Sequence, residues 1–294
     1  MKARRLNSGA PRLRLTARTA LVFAIAALAS TAFPALASAS HTVTRTSGSV
    51  TATLSWKHNF ERTKDFRLAI ARGGTQVYDA EVKPDICNPH KAFPCVWPAG
   101  EEPLDLTDLD GDGEPEAVVG AFTGGAHCCV IAVVYRWTGS GYAAAENNFF
   151  DPGYDLADLD GDGSDEFVSA DSRFAYLYGS FAESVFPLMI VGFDQGDFSD
   201  VTAQFPGKVE DDADALRHEY KRRAGSNRKI GVRTSLAAYL ADLYTLGRAD
   251  DAKRILHRAL NRGLLERHAN FEIGPFGHKY VHDVKRKLKK FGYA

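Results

Sequence analysis

Along residues 41–198 short stretches of alternating apolar and polar positions are separated by glycine-containing turns, the pattern of antiparallel strands. Residues 41–57 alternate well, with Val50, Ala52, Leu54 and Trp56 on one face of a strand. Residues 66–72 and 76–82 flank Gly73-Gly74 and read as a hairpin, whereas the proline-rich stretch 84–103 reads as a loop. Further strands are predicted at 116–122, 130–137, 166–170 and 188–193, with Gly124-Gly125 breaking the first from the second. Thr138-Gly139-Ser140-Gly141 turns the chain back at Tyr142, and Asp194-Gln195-Gly196-Asp197 turns it back into Phe198.

After Gly207 the period becomes helical, with helices predicted at 211–223, 234–246, 249–261 and 281–288. The second and third join at Gly247. Leu236, Leu240 and Leu243 make one apolar face and Ala252, Leu256 and Ala259 the other, the small alanines allowing close approach. The fold class expected is α+β: a mainly antiparallel β region of repeated small sheets, residues 40–206, then a small basic helical region, residues 207–294.

One block occurs twice. Residues 105–116 read DLTDLDGDGEPE and residues 155–166 read DLADLDGDGSDE, 50 residues apart and identical at nine of twelve positions. Each copy continues as a strand, a longer strand, a glycine-containing turn and an aromatic returning strand. Such a period predicts small sheets set side by side, as in propeller blades, and the hairpin at Gly73-Gly74 reads as an earlier copy lacking its acidic loop.

Asp108, Asp110 and Asp112 stand at alternate positions with Glu116 four further on, and Asp158, Asp160, Asp162 and Glu166 repeat the layout. Gathering so many carboxylates is costly without a cation. Calcium takes six to eight oxygens, and a tight loop supplies several carboxylates plus a backbone carbonyl, expected here from Glu114 and Ser164. Magnesium dehydrates too reluctantly to favour such a cage. An EF-hand would place a bidentate Glu where Val119 and Ser169 stand, and would be flanked by helices rather than strands. The plain alternative is a solvated acidic turn.

These DxDxDGxxE loops between short strands resemble the FG-GAP or VCBS repeats of integrin-type β-propellers, and Gly124-Gly125-Ala126-His127-Cys128-Cys129 resembles a segment of small secreted bacterial proteins carrying such loops. The resemblance spans about residues 100–205, or 45–205 with the earlier copy. It implies two structural calcium ions held by the residues just named. Integrin-type propellers have seven blades, whereas this chain has room for about three, too few for a closed propeller. The 236–260 helix pair is similar to one tetratricopeptide unit, or is an ordinary helical hairpin.

Composition and ends refine the picture. Six Lys or Arg between Lys2 and Arg18, an apolar run from Leu21 to Leu28 and small residues to Ser40 read as a signal peptide over residues 1–39, cleaved near Ala37 or Ala39. No later segment is apolar enough to span a bilayer. The formal net charge of −1 divides as +6 over residues 1–39, −16 over 40–206 and +9 over 207–294. Cys87, Cys95, Cys128 and Cys129 in an exported chain suggest two disulfides. Pairing of Cys87 and Cys95 each with one of Cys128 and Cys129 is preferred to a Cys87–Cys95 loop beside a vicinal pair, because a bond between chain neighbours is strained. A zinc cluster of His127, the four cysteines and His90 is less favoured in an exported protein, and His278 with His282 lacks a third ligand.

No G-x-S-x-G, H-E-x-x-H or phosphate-cradling glycine loop appears, and duplication of the acidic loops speaks for structure rather than catalysis. The leading expectation is a secreted, non-catalytic binding or adhesion module with a protein or glycan partner. The alternatives are a hydrolase with its site near His127, or an envelope-associated structural protein. The basic C-terminus, Lys285 to Lys290, could touch anionic polymers or lipid headgroups, or lie against the acidic β part; sequence-specific nucleic-acid binding is not indicated.

Overall fold

A computed structural model describes residues 39–59, 62–87, 97–269 and 272–294. The leader read over residues 1–39 therefore lies, up to residue 38, outside the described residues, as do His90 and Cys95. Ser38–Ala294 makes one compact unit, α+β in class.

The β region is three antiparallel sheets, each a meander of four consecutive strand positions. The first holds β1 (Ala39–Ser47), β2 (Val50–Asn59), β3 (Arg62–Arg72) and β4 (Thr75–Glu81) in that order. In the second, β5 (Trp97–Pro98) and β6 (Leu104–Thr107) share one edge of β7 (Glu116–Phe122), followed by β8 (Val130–Trp137) and β9 (Tyr142–Phe150). The third holds β10 (Asp155–Ala157), β11 (Glu166–Ala170), β12 (Leu188–Asp194) and β13 (Asp197–Asp200).

Two expectations need correction here. Residues 41–57 are not one strand: Ser47 pairs with Val50 across a turn in which Gly48 takes φ +55°. That turn joins strands one and two of the first sheet, the position held by an acidic loop in each of the other two. The copy lacking its loop therefore begins at β1, earlier than the Gly73-Gly74 hairpin. The short strands β6 and β10, which precede the acidic residues, were masked in the sequence by the acidic block itself.

Alternation sorts the middle sheet into two faces. Ala117, Val119, Ala121, Ile131, Val133 and Tyr135 pack with Leu54, Phe66, Leu68 and Ile70 of the first sheet. Val118, Ala132, Val134 and Phe149 pack with Phe167, Val191 and Phe193 of the third. The middle sheet is thus covered on both faces, which is why β7 reads as an unbroken apolar run rather than an alternating one. Fully burying one such Val side chain contributes roughly 1.5–3 kcal/mol.

The helices are α1 (Pro206–Gly225), α2 (Val232–Thr245), α3 (Ala249–Asn261) and α4 (Gly277–Phe291). The first and fourth run beyond their predicted spans at both ends, and the second starts two residues before its predicted span and ends one residue short of it. Pro206 suits the first turn of α1, where its missing N–H would be unpartnered anyway. Every residue of α2 from Val232 to Leu243 is buried, making it the centre of the helical core. Phe174 and Tyr178, between β11 and β12, join that core and tie it to the third sheet.

Candidate metal centre

In each acidic loop one carboxylate folds the turn. Asp108 accepts the amides of Gly111 and Gly113 at 2.8 Å each, and Asp158 accepts those of Gly161 and Gly163 at 2.6 and 3.0 Å. All four glycines lie at positive φ, from 73° to 99°, where a Cβ would be strained. Asp112 and Asp162 accept the amides of Glu114 and Ser164 at 2.8 Å. The curl brings one carboxylate oxygen from each of Asp108, Asp110 and Asp112 within 4.8 Å of one another, and likewise Asp158, Asp160 and Asp162.

The closing glutamates are matched as well. Oε2 of Glu116 accepts the Leu109 amide at 2.9 Å, and Oε2 of Glu166 accepts the Leu159 amide at 3.0 Å. Glu116 is 0 % exposed, and its second oxygen, Oε1, is buried without a hydrogen-bond partner in the field of Asp110, Asp112 and Asp108. Burial first, then those charges, push its carboxyl up to about 8 against the help of the Leu109 amide. The same causes in the same order raise Glu166, which is only half-buried. Asp110 is raised by burial and by Asp112; both its oxygens are buried without a well-formed hydrogen bond, although the Gln195 and Asp112 amides lie close enough to favour its charge.

These donors fit a hard cation. Three aspartates converge, Asp110 among them and Glu116 beside them offer uncommitted buried oxygens, and an isolated carboxylate is not buried at this cost without compensation. Loop 158–165 has the same donors with its three aspartates exposed.

The two loops also touch. The Asp165 amide donates to the Asp108 carbonyl at 3.0 Å, and Thr107 Oγ1 donates to Asp165 Oδ2 at 2.6 Å. A Cβ on Gly111 would lie 3.2 Å from Ser164 Oγ. From the first sheet, Arg72 donates to Glu114 at 2.5 Å and to the Tyr142 hydroxyl at 3.3 Å, with its guanidinium 4.6 Å from the centre of the Trp137 ring. Thr107, Asp165 and Arg72 were not among the predicted site residues. Only the Asp165 position gave a signal, as the one acidic residue the first block lacks.

At the opposite end of the sheets the preferred disulfide pairing is corrected: Cys128 bonds its chain neighbour Cys129. The pair lies in irregular chain between a turn at residues 126–127 and the start of β8, not on a regular strand. Both sulfurs are thereby withdrawn from a thiolate zinc cluster. Cys87 is half-buried at the end of a short helical turn, Asp85–Cys87. His127 is not in a deep pocket. Its ring lies flat on Phe181 at 3.7 Å, Nδ1 is 3.6 Å from Asp151, and its side chain is 47 % exposed. Tyr176 and Phe150, both exposed, lie at this end too, and all three of His127, Phe150 and Tyr176 hold positive φ. His278 and His282 are exposed on α4.

No family model matches the chain, and no solved structure does. A "Probable thylakoid lumen protein sll0997" of Synechocystis sp. is 32% identical over 166 residues, 54% of this chain and 48% of its own length. An "Uncharacterized protein y4bJ" of Sinorhizobium fredii is 31% identical over 142 residues, 47% of this chain and 22% of its own length. The chain thus spans half or less of the curated relatives it matches. Among the described residues no helix is long and apolar enough to cross a membrane.

Proposed function

We propose that this chain is a calcium-stabilised repeat protein of the FG-GAP or VCBS kind, working outside the cytoplasm as a non-catalytic binding or adhesion module. The observation that carries the reading is Glu116: a wholly buried carboxyl with one oxygen unpartnered, beside three converging aspartates. Calcium held by Asp108, Asp110, Asp112 and Glu116 would supply the missing positive charge, with Asp158, Asp160, Asp162 and Glu166 forming the second site. The ions are structural in this reading, with affinities on the order of 10⁻⁴–10⁻³ M as in other extracellular modules. The leader pattern and the lumenal name of one relative support export.

The partner, a protein or a glycan, is sought at the far end, where Phe150, Tyr176 and His127 hold aromatic rings in the open. Left-handed backbone at three such residues is a cost that surrounding structure must repay, and such outliers gather at functional sites. The hydrolase reading rests on the His127–Asp151 approach alone. The test is thermal unfolding with EGTA and with rising calcium, for wild type, Asp110→Ala, Asp160→Ala and the double variant. A calcium-dependent rise reduced in each single variant and lost in the double supports two ion sites. An unfolding midpoint indifferent to calcium rejects the reading.

A further inference from the structure

Helix α4 turns two different faces to its surroundings. Gly277, Tyr280, Val281, Val284 and Leu288 are buried in the helical core. The remaining arc carries Lys279, Lys289 and Lys290, all exposed, with Lys285 and Lys287 half-buried. Among the described residues none of these five lysines forms an ion pair; the single acidic residue of the helix, Asp283, is taken by Arg286 and by the Tyr178 hydroxyl.

The β region carries a charge of −16, yet it does not neutralise this face. It meets the end of α4 through a cation instead. Arg173 donates to the Phe291 carbonyl at 3.0 Å and lies over the Phe291 ring at 5.0 Å. The carboxylate beside it, Asp171, is buried and already occupied by Arg173 and by the Tyr293 hydroxyl at 2.9 Å. Among the described residues the lysines therefore have no ion-pair partner in the acidic β region.

The chemistry of the face selects the kind of partner. Lysines are compact point charges that respond to a diffuse field, whereas recognition of single phosphates favours the arginine fork. Tyr280 is buried and Phe291 packs inward on Phe174, so neither of the helix's two large aromatic rings is presented for stacking on nucleic-acid bases. Fifteen helical residues make a straight strip about 22 Å long, matched to a plane of charge. Four residues ahead of the same helix Ile273 is 50 % exposed, and its carbonyl accepts from the buried Arg233 at 2.6 Å, so one exposed apolar residue precedes the charged strip. We infer that the outward face of α4 is a docking surface for a lipid bilayer bearing anionic headgroups, by charge attraction with no spanning segment.

The inference is independent of the metal reading, and calcium is held constant in its test. The full chain and the chain from residue 39 are sedimented with phosphatidylcholine vesicles, with and without phosphatidylglycerol, at rising salt. Binding is expected only with phosphatidylglycerol and is lost at high salt, since exposed charges are screened. Each lysine near such a surface raises partition roughly five-fold, so Lys279→Glu/Lys289→Glu/Lys290→Glu should lower it by at least a hundredfold. The corresponding triple Gln variant should fall between, and it decides the matter if the Glu variant does not fold. Equal binding by the substituted chains, or equal binding to neutral vesicles, overturns the proposal. So does binding to soluble polyphosphate without binding to anionic vesicles, which would make α4 a polymer site.

Discussion

The two acidic loops are built alike and held differently. Nine of twelve positions are identical, and those positions build each turn: the folding aspartate, the glycines and the closing glutamate. The three that differ are Thr107 against Ala157, Glu114 against Ser164 and Pro115 against Asp165. Each differing pair contributes to how the loops are docked. Thr107 reaches Asp165, Glu114 reaches Arg72, Ser164 sits against Gly111, and the Asp165 amide reaches Asp108. Pro115 could not return that last bond, because proline has no N–H to give. Shared residues thus make the loop, and divergent residues seat it. Loop 108–115 sits between the first and third sheets and loses Glu116 from solvent entirely, whereas loop 158–165 keeps its aspartates in water.

The largest difference between the two loops is expected on losing a ligand. At calcium a hundredfold above the dissociation constant, one site contributes about 2.7 kcal/mol. Asp110→Ala should remove most of that amount and Asp160→Ala less, read as unfolding midpoints with and without EGTA. Equal losses would mean that burial does not separate the loops.

Next comes the buried glutamate in the absence of calcium. With its folded value raised to about 8 from 4.5, the folded chain holds a proton the unfolded chain has released between those values. Stability in EGTA should therefore fall as pH rises through that window. Glu116→Gln should remove the slope and stabilise the calcium-free protein at pH 7 by about 3 kcal/mol, while abolishing the calcium response of its loop. Glu166→Gln should do the same more weakly. A pH profile unchanged by Glu116→Gln would remove that carboxyl from the account.

Smaller effects test the seating. Arg72→Ala deletes an ion pair, a hydrogen bond and a ring contact at a half-buried site, and should cost about 1–2 kcal/mol while sparing the second loop. Thr107→Val breaks the hydroxyl contact to Asp165 and should cost about 1 kcal/mol. Calcium titration by calorimetry would then show whether the second loop weakens along with the first.

The sequence carried what depends on neighbours along the chain. Gly73-Gly74, the turn at 138–141 and the turn at 194–197 each stand between strands as expected, and α3 begins and ends at Ala249 and Asn261 as its pattern indicated. It also carried the two aspartate triads that each loop gathers, because their spacing is local. What it did not carry depends on layers meeting. Ser47 and Val50 belong to different strands because Gly48 can adopt a backbone few other residues tolerate, and no alternation reports that. Strands β6 and β10 are four and three residues long, too short for a period to emerge. Arg72 lies over thirty residues from the loop it serves, and nothing in its neighbourhood marks it. Arg233, one residue ahead of the predicted helix 234–246 and in the first turn of α2, is almost wholly buried with Phe276 stacked on it and carbonyls of Ile273 and Pro275 as acceptors, contacts that only the folded chain creates.

The meander order of all three sheets has a kinetic consequence. Nearly every strand pairs with the strand next to it in the chain, so most pairings close short loops, and short loops form quickly. The stacking of one sheet on another and the packing of the helices on the third are the non-local steps. Folding should therefore proceed by rapid, separate formation of hairpins followed by slower docking, with the middle sheet unable to reach its final burial until both neighbours arrive. Substitutions in β7, at Val118 or Val119, would then act mainly on the docking step: Val118 on closure against the third sheet, and Val119 on closure against the first.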